Sequence, residues 1–413
     1  MTERLYYSDS HLLEFDARVV SISKLEDGRA AVALDRTAFY PTGGGQPNDT
    51  GTLGAWRVVD CVEEEGAGVL HVLEGDAPEL GADVRGRVDA ARRRDHMQQH
   101  TGQHILSQAF VELYGAQTRS FRMTTDACEI DVELNHPSDE RVERAVTRAN
   151  EIIWDDRVVR VHNVTAEEAA RLPLRKDSAR EGELRVIEIE GFDFSPCGGT
   201  HAARTGEVGV VIARQWERAK GLVRVTFAAG VRALEDYRRA NNAARATAAL
   251  FSVGREEAAA AAARLQDENK NLQRRLRASE ELAARAEARE LLEESQGEGF
   301  KASANASSTG AGGLRLVARV FEGRDAEELR RLASAVAAHT RAVALLGSRD
   351  ETGARLVFAR AADARGDMNA LLREACRALE GRGGGRPEMA QGGGPRAERL
   401  AEIIEDAARS LRA

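Results

Sequence analysis

The sequence predicts an α+β protein of several domains: an N-terminal β-barrel domain, an α+β core with a metal site, a helical hairpin or coiled coil, and a C-terminal α/β domain. Three observations support this class. The first 95 or so residues alternate in short apolar and polar runs between Gly and Asp turns, residues 231–295 are rich in helix-forming residues, and the last hundred residues alternate between strand and helix patterns. At 413 residues the chain is long enough for two to four domains.

The N-terminal segment, residues 1–94, is predicted to be a small β-barrel or sandwich. Its alternating runs predict strands at Arg18–Ser23, Ala30–Leu34, Arg57–Val62, Gly68–Leu73 and Asp83–Asp89. The unusual stretch AFYPTGGGQPNDTG at 38–51 contains three consecutive glycines, which bring backbone amides close to a partner, followed by Gln46, an amide that both donates and accepts. A tight loop between strands is the other interpretation of this stretch.

The core, residues 95–232, is predicted to begin with an amphipathic helix near Asp95 that carries the run HTGQH. A charged helix near Ser138–Ile153 follows. Strands are predicted at Cys128–Glu133, Val158–Val164, Glu183–Glu190, Val208–Arg214 and Leu222–Phe227.

The remaining chain is divided into three further segments. Residues 233–296 are expected to form a helical hairpin or coiled-coil arm, broken near Ser252, which is placed to cap the second helix. Residues 297–313 are rich in Gly and Ser and predict a flexible linker. Residues 314–413 predict an α/β domain, with a glycine-rich loop, GRGGGRPEMAQGGGP, that carries Arg382 and Arg386 and could contact an RNA backbone or lie free on the surface.

Two matched pairs of side chains predict one zinc ion per chain. His100 and His104 are four residues apart, as are Cys197 and His201. Imidazole and thiolate are the ligands that tetrahedral zinc prefers. Because about 90 residues separate the pairs, tertiary structure must assemble the site. His96, one helical turn earlier, is given a supporting or RNA-facing role.

The same ligands leave two kinds of zinc site open. Four protein ligands can close a structural shell, whereas a catalytic zinc keeps a position for water or substrate. The hydroxyls of Thr101 and Thr200, beside two of the ligands, could position water or substrate, although such threonines are more often ordinary helix or turn residues. No Ser-His-Asp set with a convincing context is present, which disfavours a covalent acyl-enzyme.

Composition narrows the functional classes. A net charge of −8 does not mark the whole chain as a nucleic-acid binder, although local basic patches could bind phosphate. No run of about 20 apolar residues is present, so no membrane span is expected. The polar N-terminal stretch and the four scattered cysteines predict a cytoplasmic protein.

The strings HTGQH, CGGTH, FYPTGGGQPNDTG and KGLVRVTFAAGVRAL together resemble the editing half of alanyl-tRNA synthetase, and still more the long-type free-standing alanyl-tRNA editing proteins. The resemblance covers nearly the whole chain, including a C-terminal domain of the type associated with DHH phosphoesterases. About 95 residues precede HTGQH, too few for an aminoacylation domain, and the chain has no DHH triplet.

This resemblance implies that zinc is held by His100, His104, Cys197 and His201. It implies hydrolysis of the ester that joins a wrong amino acid, serine or glycine, to tRNA(Ala). It assigns substrate selection or orientation to Thr101, and a place beside the site to Gln46.

Two other functions fit the same residues. One is a zinc-stabilised RNA-binding protein without activity. The other is a zinc hydrolase for a small ester or amide, which the helical arm and the extra domain disfavour. A homodimer through the helical arm or the C-terminal domain is compatible with the heptad-like spacing of apolar residues.

Overall fold

The computed structural model describes residues 2–64, 68–175, 183–298 and 313–412, with side chains described up to Ser295 in the third range. The chain is a mixed α+β protein that divides into an N-terminal unit, Met1–Leu250, and a C-terminal unit, Phe251–Ala413. This boundary falls inside the segment predicted as a helical arm. The division into five segments remains a prediction, and most of the predicted linker lies outside the described residues.

The first part of the N-terminal unit is a ring of antiparallel strands around an apolar centre. The strands of this part are β1 (Glu3–Arg4), β2 (Glu14–Lys24), β3 (Ala30–Leu34), β4 (Arg36–Thr37), β5 (Gly51–Leu53), β6 (Trp56–Glu64), β7 (Gly68–Glu74) and β8 (Asp83–Val88). In the ring each strand hydrogen-bonds to the next in the order β2-β3-β7-β6-β5-β8, and β8 pairs with β2. A short parallel pair, β1 with β4, lies outside the ring. Inward-facing residues such as Val32, Leu34 and Leu73 are fully buried.

Helix α1 (Ala90–Tyr114) is the central helix of this unit. It begins five residues before the predicted start because the Asp89 carboxylate accepts hydrogen bonds from the Ala91 and Arg92 amides, and it ends at Gly115 with a φ of +63°. The predicted amphipathic pattern is wrong, since every residue from Gln99 to Ser107 is buried. The polar residues in this stretch are satisfied internally; for example, the Gln99 side chain pairs with the Ala229 backbone.

A second helix and a four-stranded sheet surround α1. These elements are α2 (Asp139–Trp154), β9 (Thr118–Met123), β10 (Cys128–Val132), β14 (Val211–Ala219) and β15 (Leu222–Ala229). The sheet has the order β14-β15-β10-β9 and shares one apolar core with both helices. The sequence did not predict β9.

A three-stranded antiparallel sheet leads into the CGGTH motif. β11 (Val159–Val164) pairs with β12 (Leu184–Ile189), which pairs with β13 (Asp193–Pro196), a strand that the sequence did not predict. The four-residue helix α3 (Ala166–Ala169) precedes β12. Cys197 therefore follows the end of a short strand directly, and the motif itself is a loop.

Two helices follow the core, separated by a break at the predicted place. α4 (Gly230–Leu250) belongs to the N-terminal unit, and α5 (Ala258–Glu298) to the C-terminal unit. Ser252 does not cap the second helix: it has a φ of +53°, and Gly254 is the residue at the helix start. No helix in the described ranges is both long and apolar enough to cross a membrane.

The C-terminal unit is a five-stranded sheet covered on both faces. Its further elements are β16 (Arg315–Glu322), α6 (Ala326–Ala337), β17 (Ala342–Asp350), β18 (Gly353–Arg360), α7 (Met368–Ala378), β19 (Arg382–Gly385), β20 (Met389–Gly394) and α8 (Leu400–Arg412). The strand order is β16-β17-β18-β20-β19. Helix α6 and the end of α5 pack on one face, and α7 and α8 on the other. The glycine-rich stretch was predicted to be a loop. This prediction is wrong, because the stretch forms the hairpin of β19 and β20.

Candidate metal centre

The two predicted pairs meet in one cluster. The ligand atoms of His100, His104, Cys197 and His201 all lie within 4.8 Å of one another. The three histidines are buried, with exposed fractions of 3–4%, and Cys197 is partly buried. Helix α1 supplies His100 and His104 one turn apart, and the loop after β13 brings Cys197 and His201 against them.

The spacing of the donor atoms fits a tetrahedral cation. Cys197 Sγ lies 3.4 Å from His100 Nε2 and 3.3 Å from His201 Nε2. Zinc bonds of about 2.0 Å to nitrogen and about 2.3 Å to sulfur place such donors about 3.5 Å apart. The donor set and its geometry therefore suit zinc.

The protonation states also suit a metal. Burial raises the pKa of the Cys197 thiol, but the neighbouring His100, His201 and His104 together outweigh burial and lower the pKa well below its ordinary value, which favours the thiolate. Burial lowers the pKa of His201 to about 3, so its imidazole is neutral at pH 7. A thiolate and a neutral imidazole are the forms that bind metal.

Gln46 lies at the back of His100. Its Oε1 is 2.7 Å from His100 Nδ1, and its Nε2 donates to Thr200 Oγ1 at 2.9 Å. Gly44 and Gly45, with φ of +56° and +85°, form the tight turn that aims Gln46, which is fully buried. The amide thereby holds the His100 tautomer that leaves Nε2 for a metal.

Thr101 occupies the equivalent place for His201. Its Oγ1 lies 3.2 Å from His201 Nδ1 and accepts a hydrogen bond from the Ala202 amide at 3.0 Å. The side chain is fully buried. Thr101 therefore contacts a ligand of the cluster directly.

Sequence reasoning missed several residues that hold the Cys197–His201 loop. Arg185 Nη1 donates to the Cys197 and Gly199 carbonyls at 2.8 and 2.9 Å, and Ser10 Oγ accepts from the His201 amide. Asp193 Oδ2 lies 3.3 Å from His104 Nδ1. The signal for Asp193 was a carboxylate two residues from Ser195 in an otherwise apolar strand, since such residues share one face.

His96 is outside the cluster. It is 2% exposed, so it does not face solvent or RNA, and burial lowers its pKa to about 4.

A cavity of about 270 Å³ opens beside Ala202, the neighbour of His201; its lining residues are His11, Arg94, Met97, Gln98, Ala202 and Glu207.

Two known protein families match separate parts of this chain. Residues 184–226 match the family described as the threonyl and alanyl tRNA synthetase second additional domain, and residues 313–413 match the DHHA1 domain. The first match contains Asp193, Cys197 and His201.

Individual proteins from several organisms are also similar to this chain. The alanyl-tRNA editing protein AlaX-L of Pyrococcus horikoshii is 39% identical over 246 residues, covering 57% of this chain and 59% of that protein. The alanine–tRNA ligase of Korarchaeum cryptofilum is 32% identical over 98% of this chain and 44% of its own length, and that of Natronomonas pharaonis is 34% identical over 100% and 44%. The chain thus spans about half the length of these relatives.

One solved structure is similar to part of the chain. The C-Ala domain of Aquifex aeolicus alanyl-tRNA synthetase is 27% identical, with a TM-score of 0.24, and the match covers 26% of this chain and 100% of that one.

Proposed function

We propose that this chain, which resembles AlaX-L and the editing and C-terminal domains of alanine–tRNA ligases, is a zinc-dependent hydrolase that removes serine or glycine from mischarged tRNA(Ala). The observation that carries the proposal is the convergence of His100, His104, Cys197 and His201 in a chain 39% identical to an alanyl-tRNA editing protein. We place this activity in the cytoplasm.

The residues around the cluster are suited to ester hydrolysis. Zinc, when bound, supplies a polarised water or orients the substrate. Gln46 and Thr101 hold the imidazoles of His100 and His201, and Arg185 fixes the loop that carries Cys197. An aminoacyl ester is already activated, so positioning contributes more than a strong nucleophile would. We assign Gln46 and Thr101 to positioning the ligands, and through them the substrate.

Thr101 could also determine the choice of amino acid. Serine and alanine differ by one hydroxyl, and a site that hydrogen-bonds this hydroxyl would bind serine better. Thr101→Val keeps the shape of the side chain but removes its oxygen. We expect it to change the ratio of seryl-tRNA to alanyl-tRNA hydrolysis, and an unchanged ratio would remove Thr101 from selection.

The remaining parts are proposed to bind tRNA and a second copy. Arg382 and Arg386 of the C-terminal hairpin are exposed, as phosphate contacts require.

On α5, Leu265 and Leu272 are seven residues apart and exposed by 54% and 62%, which suits a coiled coil with the same helix of a second chain. Sedimentation of the wild type and of Leu272→Glu tests the homodimer.

The direct test is hydrolysis of seryl-, glycyl- and alanyl-tRNA(Ala) by the wild type, by His104→Ala and by a control, His162→Ala. His162 lies on β11, pairs with Glu188 and is not a member of the cluster. We expect the wild type and the control to hydrolyse seryl- or glycyl-tRNA, and His104→Ala or chelator treatment to abolish the activity. Excess uncharged tRNA should compete.

A second function is favoured by one feature: the four protein ligands can fill a tetrahedral shell by themselves. In that case the protein would be a zinc-stabilised RNA-binding protein without activity. Such a protein would bind tRNA as tightly as the proposed hydrolase, but it would release no amino acid from any of the three substrates.

A further inference from the structure

The three imidazoles of the cluster differ in what lies behind them. His100 Nδ1 contacts the Gln46 amide oxygen and His201 Nδ1 contacts the Thr101 hydroxyl, and both of these partners are neutral. His104 Nδ1 contacts the Asp193 carboxylate. One ligand of the three therefore has a charged partner.

Asp193 is held firmly in this position. It is 1% exposed, and Arg175 Nε donates to its Oδ1 at 2.8 Å. Ser195 Oγ donates to its Oδ2 at 2.9 Å, the oxygen that also contacts His104. The Arg175 side chain is only 9% exposed, so the carboxylate and its counter-charge are buried together.

An ionised carboxylate imposes a stricter condition on a histidine than an amide or a hydroxyl does. It can only accept hydrogen bonds, so the imidazole must carry its proton on Nδ1 and leave Nε2 free. A neutral amide or hydroxyl has both a donor and an acceptor, and which one it presents depends on its other hydrogen bonds. The negative charge also partly balances a divalent cation beyond the ring.

We propose that Asp193 is a positioning residue of the metal centre: it sets the tautomer of His104 and strengthens metal binding, with Arg175 and Ser195 orienting its carboxylate. The inference rests on the proposed zinc site. It adds a chain of contacts, Arg175–Asp193–His104, that extends from the cluster to the segment before β12.

The test compares Zn²⁺ affinities of zinc-free wild type, Asp193→Asn and Asp131→Asn, measured by competition with a chromophoric chelator. Asp131→Asn is the matched control because Asp131 also pairs with an arginine, Arg224, on a strand of the same unit. Asp193→Asn should weaken Zn²⁺ binding by about 10- to 100-fold, and Asp131→Asn should leave it unchanged. The visible spectrum of the Co²⁺-loaded protein should change in Asp193→Asn alone.

Thermal unfolding of the metal-free proteins separates positioning from folding. If Asp193→Asn does not fold, Arg175→Gln, which keeps the carboxylate but loosens it, must weaken Zn²⁺ binding. Unchanged affinity in the folded variant overturns the role of Asp193 while leaving the hydrolase intact. A wild type that binds no Zn²⁺ overturns both this inference and the proposed function.

Discussion

Two glycine-rich regions of this chain are similar in composition but differ in structural role. In the N-terminal unit, the glycines of GGGQP precede Gln46, and those of CGGTH lie between Cys197 and His201 of the cluster. In the C-terminal unit, those of the β19–β20 hairpin lie in extended strands. A Cβ on Gly199 would lie 2.2 Å from His100 Cε1, whereas a Cβ on Gly383 would lie 2.7 Å from Cys376 Sγ of helix α7. Runs of glycine thus indicate close approach, but not whether a functional group or a packed helix approaches.

The largest expected effect is that of Gly199→Ala. The new methyl group would also lie 2.4 Å from His100 Nδ1 and 2.9 Å from Gln46 Oε1, so it would push a ligand out of place. We expect Zn²⁺ affinity to fall on the order of 100-fold. Chelator competition measures this effect, and unfolding of the C-terminal unit should not change. Normal affinity would show that the CGGTH glycines do not guard the ligand.

The hairpin should show the opposite pattern. A Cβ on Gly393 would lie 2.2 Å from the Ala354 carbonyl oxygen of the neighbouring strand, and backbone cannot move aside easily. Gly393→Ala should therefore lower the free energy of unfolding of the C-terminal unit by about 3 kcal/mol, with no loss of Zn²⁺ affinity. Denaturant unfolding, with chelator competition alongside, tests both halves of this statement.

Acid should distinguish the two units as well. His71, buried in the strand ring, lies 2.7 Å from Thr37 Oγ1, and burial lowers its pKa to about 4. The unfolded chain takes up this proton near pH 6.5 and the folded chain does not, so stability falls as the pH drops from 6.5 to 4 and is unaffected above that range.

Relative to a His71→Gln variant, the wild type should lose up to about 3 kcal/mol of unfolding free energy across this range. Urea unfolding at several pH values measures the difference. Parallel curves for the two proteins would mean that His71 does not carry the acid sensitivity.

The smallest effects should come from the outermost glycines. Gly44 has a φ of +56°, and a Cβ added there would meet no atom within 4 Å, so Gly44→Ala should cost only about 1 kcal/mol through backbone strain. Gly384 has no such φ, and the nearest atom to an added Cβ would be Asn369 Oδ1 at 3.6 Å. Gly384→Ala should be neutral, or stabilising by up to about 1 kcal/mol. Thermal unfolding tests the order of the two.

Local pattern was sufficient for much of the fold. Strands β3 and β7 and helix α2 lie within a few residues of the positions that the sequence pattern predicts. It failed where tertiary contacts determine the outcome: residues 99–107 of α1 have no exposed face because the surrounding elements bury them, and the hairpin glycines are strands because α7 lies against their backbone. Strand β13 was missed because it is only four residues long.

The sequence predicted which four side chains meet in the cluster, but not the residues that contact them. His100, His104, Cys197 and His201 could be recognised because residue type and spacing carry the signal. Asp193 and Arg175 could not be paired with His104, because their contact depends on how β13 packs against α1. Gln46 was noticed through its glycines, while its contact with His100 crosses 54 residues of chain.

The turn that carries Gln46 determines how far the protein can be shortened without losing contacts to the cluster. Gln46 and Ser10 reach the ligands from the strand-ring side of the chain. A fragment trimmed to begin at α1 would retain the four side chains of the cluster, but it would lose the Gln46 contact with His100 and the Ser10 contact with the His201 amide. A protein expressed without its first ninety residues would therefore lack part of the structure that holds the cluster in place.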